Sequence, residues 1–168
     1  MTKKAIFTYG RFNPPTIGHK AMIQKLVRNA RNMGADPFIV VTHTQNKKKN
    51  PLTAAEKVKI LEKMFPGVPV LATSKQEPSP KYIIQKLRNK NYNKIAMMVG
   101  SDRLKSFNWV GVPIISGGVR DPNANNATGM SASKARKTAM TGNIKKFSKM
   151  VNVNNPKNLM DTIINRLS

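Results

Sequence analysis

Short apolar runs alternate with amphipathic stretches along nearly the whole chain, and that alternation narrows the fold more than any other feature. Strands joined by crossover helices build a parallel sheet with helices packed against it. The apolar runs predict five strands, at residues 5–9, 38–42, 68–72, 95–99 and 112–115. Between them, residues 20–33, 53–65 and 80–89 carry apolar side chains three and four apart, as in Met22, Ile23, Leu26, Val27 and Ala30, and predict helices. The second helix has a readable start, because Thr53 precedes Glu56 by three positions, the spacing of a capping box. It is expected to stop at Pro66-Gly67. Residues 117–129 are rich in Gly, Asn and Pro without any period and predict a loop, after which helix resumes at Ser131. Two short helices are expected at 144–151 and 156–167, separated by the asparagine-rich turn 152–155. With no internal repeat and no long linker, the 168 residues read as a single domain, with a core over about 4–151 and a helical tail over about 152–168.

Composition bounds the chemistry. The chain has no cysteine, which excludes disulfides, thiolate zinc sites and cysteine nucleophiles. The apolar run in MTKKAIFTYG is too short for a signal peptide or a membrane span, so a soluble cytoplasmic protein is expected, in a bacterium or, for a viral gene, in its host. Thirty Lys and Arg against seven Asp and Glu give a formal charge of +23, which attracts polyanions at low salt. Nucleotides, DNA and RNA all qualify, and simple solvation by lysine is the competing reading. The aromatic residues form no basic-aromatic stacking pattern along the sequence.

The segment GRFNPPTIGH, from Gly10 to His19, follows the first strand and opens the first helix. An open parallel sheet binds phosphates at that place, where strand carboxyl ends meet helix amino ends. Gly10 is expected to allow a sharp turn, Pro14 and Pro15 to stiffen the loop, and Gly18 to let a phosphate approach before His19 points at it. A rigid loop whose histidine only caps the helix is the alternative. Far along the chain, MSASKAR supplies Ser131 and Ser133 at a helix start with Arg136 a turn later, a grouping that either binds an anion or caps a helix. In VGSDRL, Asp102 can accept hydrogen bonds from a ribose or cap a helix, and Arg103 can serve a phosphate or the surface. The run Lys47, Lys48, Lys49 within THTQNKKKNPL reads first as a solvated loop.

GRFNPPTIGH and MSASKAR, in this order and about 110 residues apart, resemble the two signatures of the HIGH-motif nucleotidyltransferase superfamily, which includes nicotinamide mononucleotide adenylyltransferases, phosphopantetheine adenylyltransferases and small cytidylyltransferases. The resemblance implies a Rossmann-like α/β fold, a parallel five-stranded sheet with flanking helices and a C-terminal helical extension. His19 matches the second histidine of the first signature, and Thr16 stands where the family usually has the first. The implied reaction moves a nucleoside monophosphate from ATP or CTP to the phosphate of a small-molecule acceptor and releases pyrophosphate. Mg²⁺ then accompanies the triphosphate with few or no protein ligands. His19, Thr16 and Arg136 take catalytic roles in that picture. Gly10, Arg11, Phe12, Asn13, Gly18, Lys47, Gly100, Asp102, Ser131 and Ser133 are implied to bind nucleotide, and Trp109 and Arg103 the acceptor. Trp109 as a core residue is the commoner explanation of a lone tryptophan. The stretch SGGVRDPNANNATGMSASKARKTA is particularly similar to small cytidylyltransferase-like proteins of bacteria and phages, and base choice is expected to depend on backbone near residues 114–119. A second reading is a nucleic-acid-associated or virion protein that reuses the fold with weak or no catalysis, which the +23 charge favours. A dinucleotide-binding oxidoreductase is disfavoured, because no GxGxxG follows the first strand and no acid ends the second.

Overall fold

A computed structural model describes residues 3–117 and 131–168. Most of the predicted loop over 117–129, part of the backbone expected near 114–119, and Met130 lie outside the described residues, as does the surrounding of the Asp102 side chain.

Five strands, β1 (Lys4–Gly10), β2 (Asp36–Val41), β3 (Val70–Ala72), β4 (Lys94–Val99) and β5 (Ile114–Ser116), form one parallel sheet in the order β3-β2-β1-β4-β5. The chain therefore winds outward from β1 to β3 and then returns to the other side of β1. Such a reversal opens a crevice at the carboxyl ends of the two central strands, β1 and β4.

Alternate residues of each strand go to opposite faces. Ile6, Ile39 and Met98 pack with Leu26 and Ile23 of α1 (Ile17–Met33) and Leu61 of α2 (Ala54–Met64). Phe7, Val40 and Met97 pack on the other face with Ile83, Ile84 and Leu87 of α3 (Pro80–Asn89) and with Phe107 of a 3-10 helix over Ser101–Phe107. Covering both faces explains why the strands read as continuous apolar runs rather than alternating ones. A further core joins α4 (Ala132–Met140), α5 (Ile144–Met150) and α6 (Pro156–Leu167) around Ala135, Phe147, Leu159 and Ile163, with Leu52 inserted from the loop before α2. Arg166 of α6 pairs with Glu56 and donates to the Pro51 carbonyl at 3.0 Å, so the C-terminal helix is tied to the start of α2.

The differences from the sequence expectations have local causes. α1 begins at Ile17, three residues early, because Thr16 caps it. β2 takes in Pro37, which is tolerated because β3 pairs only with Ile39–Val41 and asks for no donor there. β3 and β5 shrink to three residues each. The 3-10 helix after β4 was not expected, although Leu104 and Phe107 stand at its three-residue period.

Candidate active site

The crevice is built at the junction of β1 and α1. Its turn is made by Phe12, which adopts φ 48°, and not by Gly10; a Cβ at Gly10 would sit 3.1 Å from the Phe12 ring, so glycine leaves that ring room. That ring is buried with Ile23, Ile39 and Leu61 and lies 4.8 Å, centroid to centroid, from the His19 imidazole. Asn13 is also buried. Its side chain donates to the Leu52 carbonyl at 3.1 Å and accepts from the Leu52 amide at 2.7 Å. The side chains of Phe12 and Asn13, expected at the nucleotide, are thus committed inside the protein, one to the core and one to locking the loop onto the segment before α2. Replacing Asn13 by Ala leaves both Leu52 groups without these partners, and a loss of about 2–6 kcal/mol is expected in urea unfolding, from two buried groups at about 1–3 kcal/mol each.

Thr16 is fully buried at the N-cap of α1. Its amide donates to His19 Nδ1 at 3.0 Å, its hydroxyl lies 3.2 Å from the same nitrogen, and the hydroxyl accepts from the His19 amide at 3.4 Å. A backbone amide can only donate, so Nδ1 must accept, and the neutral ring carries its proton on Nε2, on the side away from the cap. The Thr16 hydroxyl, expected on a phosphate oxygen, lies against His19 in this structure and helps to orient its ring, while the Thr16 amide sets the tautomer.

Arg136 reaches this loop from α4. Nη1 donates to the Asn13 carbonyl at 2.8 Å and Nη2 to the Ser133 hydroxyl at 3.1 Å. Partial burial, followed by repulsion from Arg11, disfavours its charged form. Ser131 caps α4 by accepting from the Lys134 amide at 3.2 Å. The first and second signatures therefore meet physically through Arg136 and the Asn13 carbonyl. Gly18 is the second residue of α1 and Gly100 precedes the 3-10 helix, while Asp102 lies within that helix. Lys47, Lys48 and Lys49 are exposed, and the amides of the latter two converge on Asn46 Oδ1 at 3.0 and 2.9 Å. Arg103 is exposed over the Phe107 ring, and Trp109 is 48% exposed with Nε1 donating to the Ser106 carbonyl at 2.8 Å. Trp109 is therefore not a core residue.

Lys57 was missed from the sequence. It is fully buried in α2 and donates to the Thr42 carbonyl at 2.5 Å, at the end of β2. Burial and then the nearby Arg11 bring its pKa down to about 8. A signal was present: Lys57 occupies the same helical stripe as Leu61 and Met64, where an apolar residue belongs. Because the folded pKa is depressed below the ordinary 10.5, the unfolded chain binds more protons between about pH 8 and 10.5. Stability referred to a Lys57→Met variant is expected to shift in the wild type's favour as pH rises through that window, as read from paired thermal melts.

Arg11, Lys57 and Arg136 thus crowd positive charge around the amino end of α1, itself positive by its dipole. Among the described residues no group of three His, Asp or Glu is placed to hold a metal ion. No described helix is long and apolar enough to cross a membrane.

The sequence matches the family described as cytidylyltransferase-like over residues 7–152. No curated protein matches the chain. The structure resembles a protein of Vibrio parahaemolyticus assigned as a nicotinate-nucleotide adenylyltransferase, with TM-score 0.60 and 15% identity over 95% of this chain and 99% of that one. It also resembles the nicotinic acid mononucleotide adenylyltransferase of Plasmodium falciparum, solved with NaAD, with TM-score 0.59 and 16% identity over 97% and 95% of the two chains. At such identities the likeness speaks for the fold alone.

Proposed function

This chain belongs to the cytidylyltransferase-like family, within the HIGH-motif nucleotidyltransferases, and on that premise we propose that it transfers a nucleoside monophosphate from ATP or CTP to an acceptor phosphate. An acceptor phosphate oxygen attacks the α-phosphorus in line, the bond between the α-phosphorus and its bridging oxygen breaks, and pyrophosphate leaves. The observation that carries this reading is His19 with its proton held on Nε2 by the Thr16 amide, beside Arg136, which is fixed on the same loop.

The chemistry asked of the protein is positioning and charge neutralisation. His19 donates from Nε2 to a phosphate oxygen that gains charge in the transition state, and Thr16 holds it in that orientation. Arg136 and Arg11 take the β and γ end, with the exposed Lys47–Lys49 run able to reach it from the neighbouring loop. Mg²⁺ enters as part of the substrate, bound to the triphosphate, in keeping with a cationic site. The acceptor is assigned to the β4 side of the crevice, where Arg103 and Trp109 are exposed.

The bond that breaks can be read directly with two analogues. A triphosphate with methylene between the α- and β-phosphorus should bind and inhibit without turnover. One with methylene between β and γ should still be consumed and release the methylene analogue of pyrophosphate. Cleavage of the first analogue, or release of inorganic phosphate from the natural triphosphate, would contradict the proposed displacement.

A further inference from the structure

The proposed triphosphate site accounts for only a small part of a charge of +23, and a cationic surface on the acceptor side of it carries exposed aromatic rings. Trp109 and Lys81 are 28 positions apart in sequence, yet the Lys81 Nζ lies 5.5 Å from the centroid of the Trp109 ring. Tyr82, the next residue in α3, is 45% exposed, and Trp109 is 48% exposed. The bond from Trp109 Nε1 to the Ser106 carbonyl holds the ring at a fixed angle, so its exposure is a built orientation rather than a loose end. Arg103 and Lys105 of the 3-10 helix are exposed on the same segment, and Arg103 covers Phe107, whose ring meets Tyr9 edge-on at 5.8 Å. Tyr9 immediately precedes Gly10, so ring contacts link the 3-10 helix to the loop at the mouth of the crevice.

We propose that this surface binds single-stranded nucleic acid, with a base stacked on Trp109 and the flanking phosphates met by Lys81, Arg103 and Lys105. A fixed, half-exposed ring with a cation held over it and further cations on the adjoining segment is a combination that can hold an unpaired base and its backbone. Duplex DNA hides its base faces and offers only phosphates to such a surface, and an acidic protein offers charge without a base to stack. The inference goes beyond the transferase reading, since an acceptor with one base and a strand with several use the same ring. It can be tested without any triphosphate present.

Trp109 is the only tryptophan in the chain, so its fluorescence reports on the proposed contact alone. Titration with a thymidine oligonucleotide should quench it, with an affinity whose logarithm falls with log salt at a slope of about −2 for three phosphates. Lys81→Glu should weaken binding roughly tenfold. Lys63→Glu makes the same charge change on α2, across the sheet, and should weaken it less than about twofold, as expected for a charge beyond the screening length. Trp109→Ala, followed by anisotropy of a labelled strand, should cost about tenfold through lost stacking. Absence of quenching, equal weakening by the two charge reversals, or equal quenching by duplex DNA or by a polyglutamate peptide would overturn the proposal. None of these outcomes depends on catalysis, so failure here and failure of the transferase reading are separable.

Discussion

His19→Ala is expected to lower kcat by a factor of ~10² or more, the loss typical of removing one preorganised donor aimed at developing charge. The fall should appear in kcat and in kcat/KM together, because the Nε2 proton is proposed to act on charge that grows only in the transition state. Part of the side chain also works in the helix cap, where Nδ1 accepts from the Thr16 amide. Loss of that contact should cost about 1 kcal/mol of stability, so the variant remains folded and the kinetic effect can be read on native protein. Thr16→Val offers the complementary reading, since it removes the hydroxyl that faces Nδ1 at 3.2 Å but keeps the amide. Its effect should be smaller than that of His19→Ala and should be carried by misorientation of the ring. Turnover of His19→Ala near the wild-type value would remove His19 from the mechanism.

Arg136→Ala is expected to have an effect of similar size, about 10² in kcat/KM, for a different reason. The guanidinium is held by the Asn13 carbonyl and the Ser133 hydroxyl, so it approaches a ligand already oriented. Partial burial, followed by repulsion from Arg11, makes that charge costly. A bound polyphosphate supplies the opposite charge that offsets these costs, and the alanine variant loses that pairing. Arg136→Lys keeps the charge but cannot hold two acceptors in a planar fork, so it should fall between wild type and alanine. Isothermal titration with a triphosphate and steady-state kinetics together check this. Equal behaviour of the lysine and alanine variants in both would show that the bidentate geometry matters and the charge alone does not; wild-type behaviour of the alanine variant would contradict the role.

The sheet was legible because strands buried on both faces must be apolar throughout, and Phe7, Val40 and Met97 lie on one side while Ile6, Ile39 and Met98 lie on the other. The second helix was legible from its capping box, and Thr53 and Glu56 do bond reciprocally. The first helix was placed late because its cap pairs Thr16 with a histidine, where the usual third-position partner is Glu or Gln. Residue types in GRFNPPTIGH pointed to the candidate site, but the contacts each side chain makes there were not legible. Nothing in a string of letters says that Asn13 faces Leu52 across 39 positions, or that Thr16 turns inward to His19. Lys57 escaped notice because lysine in a helix is ordinarily a surface residue, and only its place in the apolar stripe marks it. The Lys81–Trp109 pairing likewise depends on α3 and the 3-10 helix sharing one face of the sheet, which is a property of the fold and not of either segment.

The most direct test of the central claim is pyrophosphate release in the presence of Mg²⁺, with ATP and CTP offered separately against nicotinamide mononucleotide, nicotinate mononucleotide, phosphopantetheine and glycerol-3-phosphate. One nucleotide and acceptor pair should yield pyrophosphate and nucleotidylated acceptor in equal amounts, with both products lost in Arg136→Ala. Triphosphate binding without pyrophosphate release from any pair would contradict the account of this chain as an active nucleotidyltransferase on such acceptors.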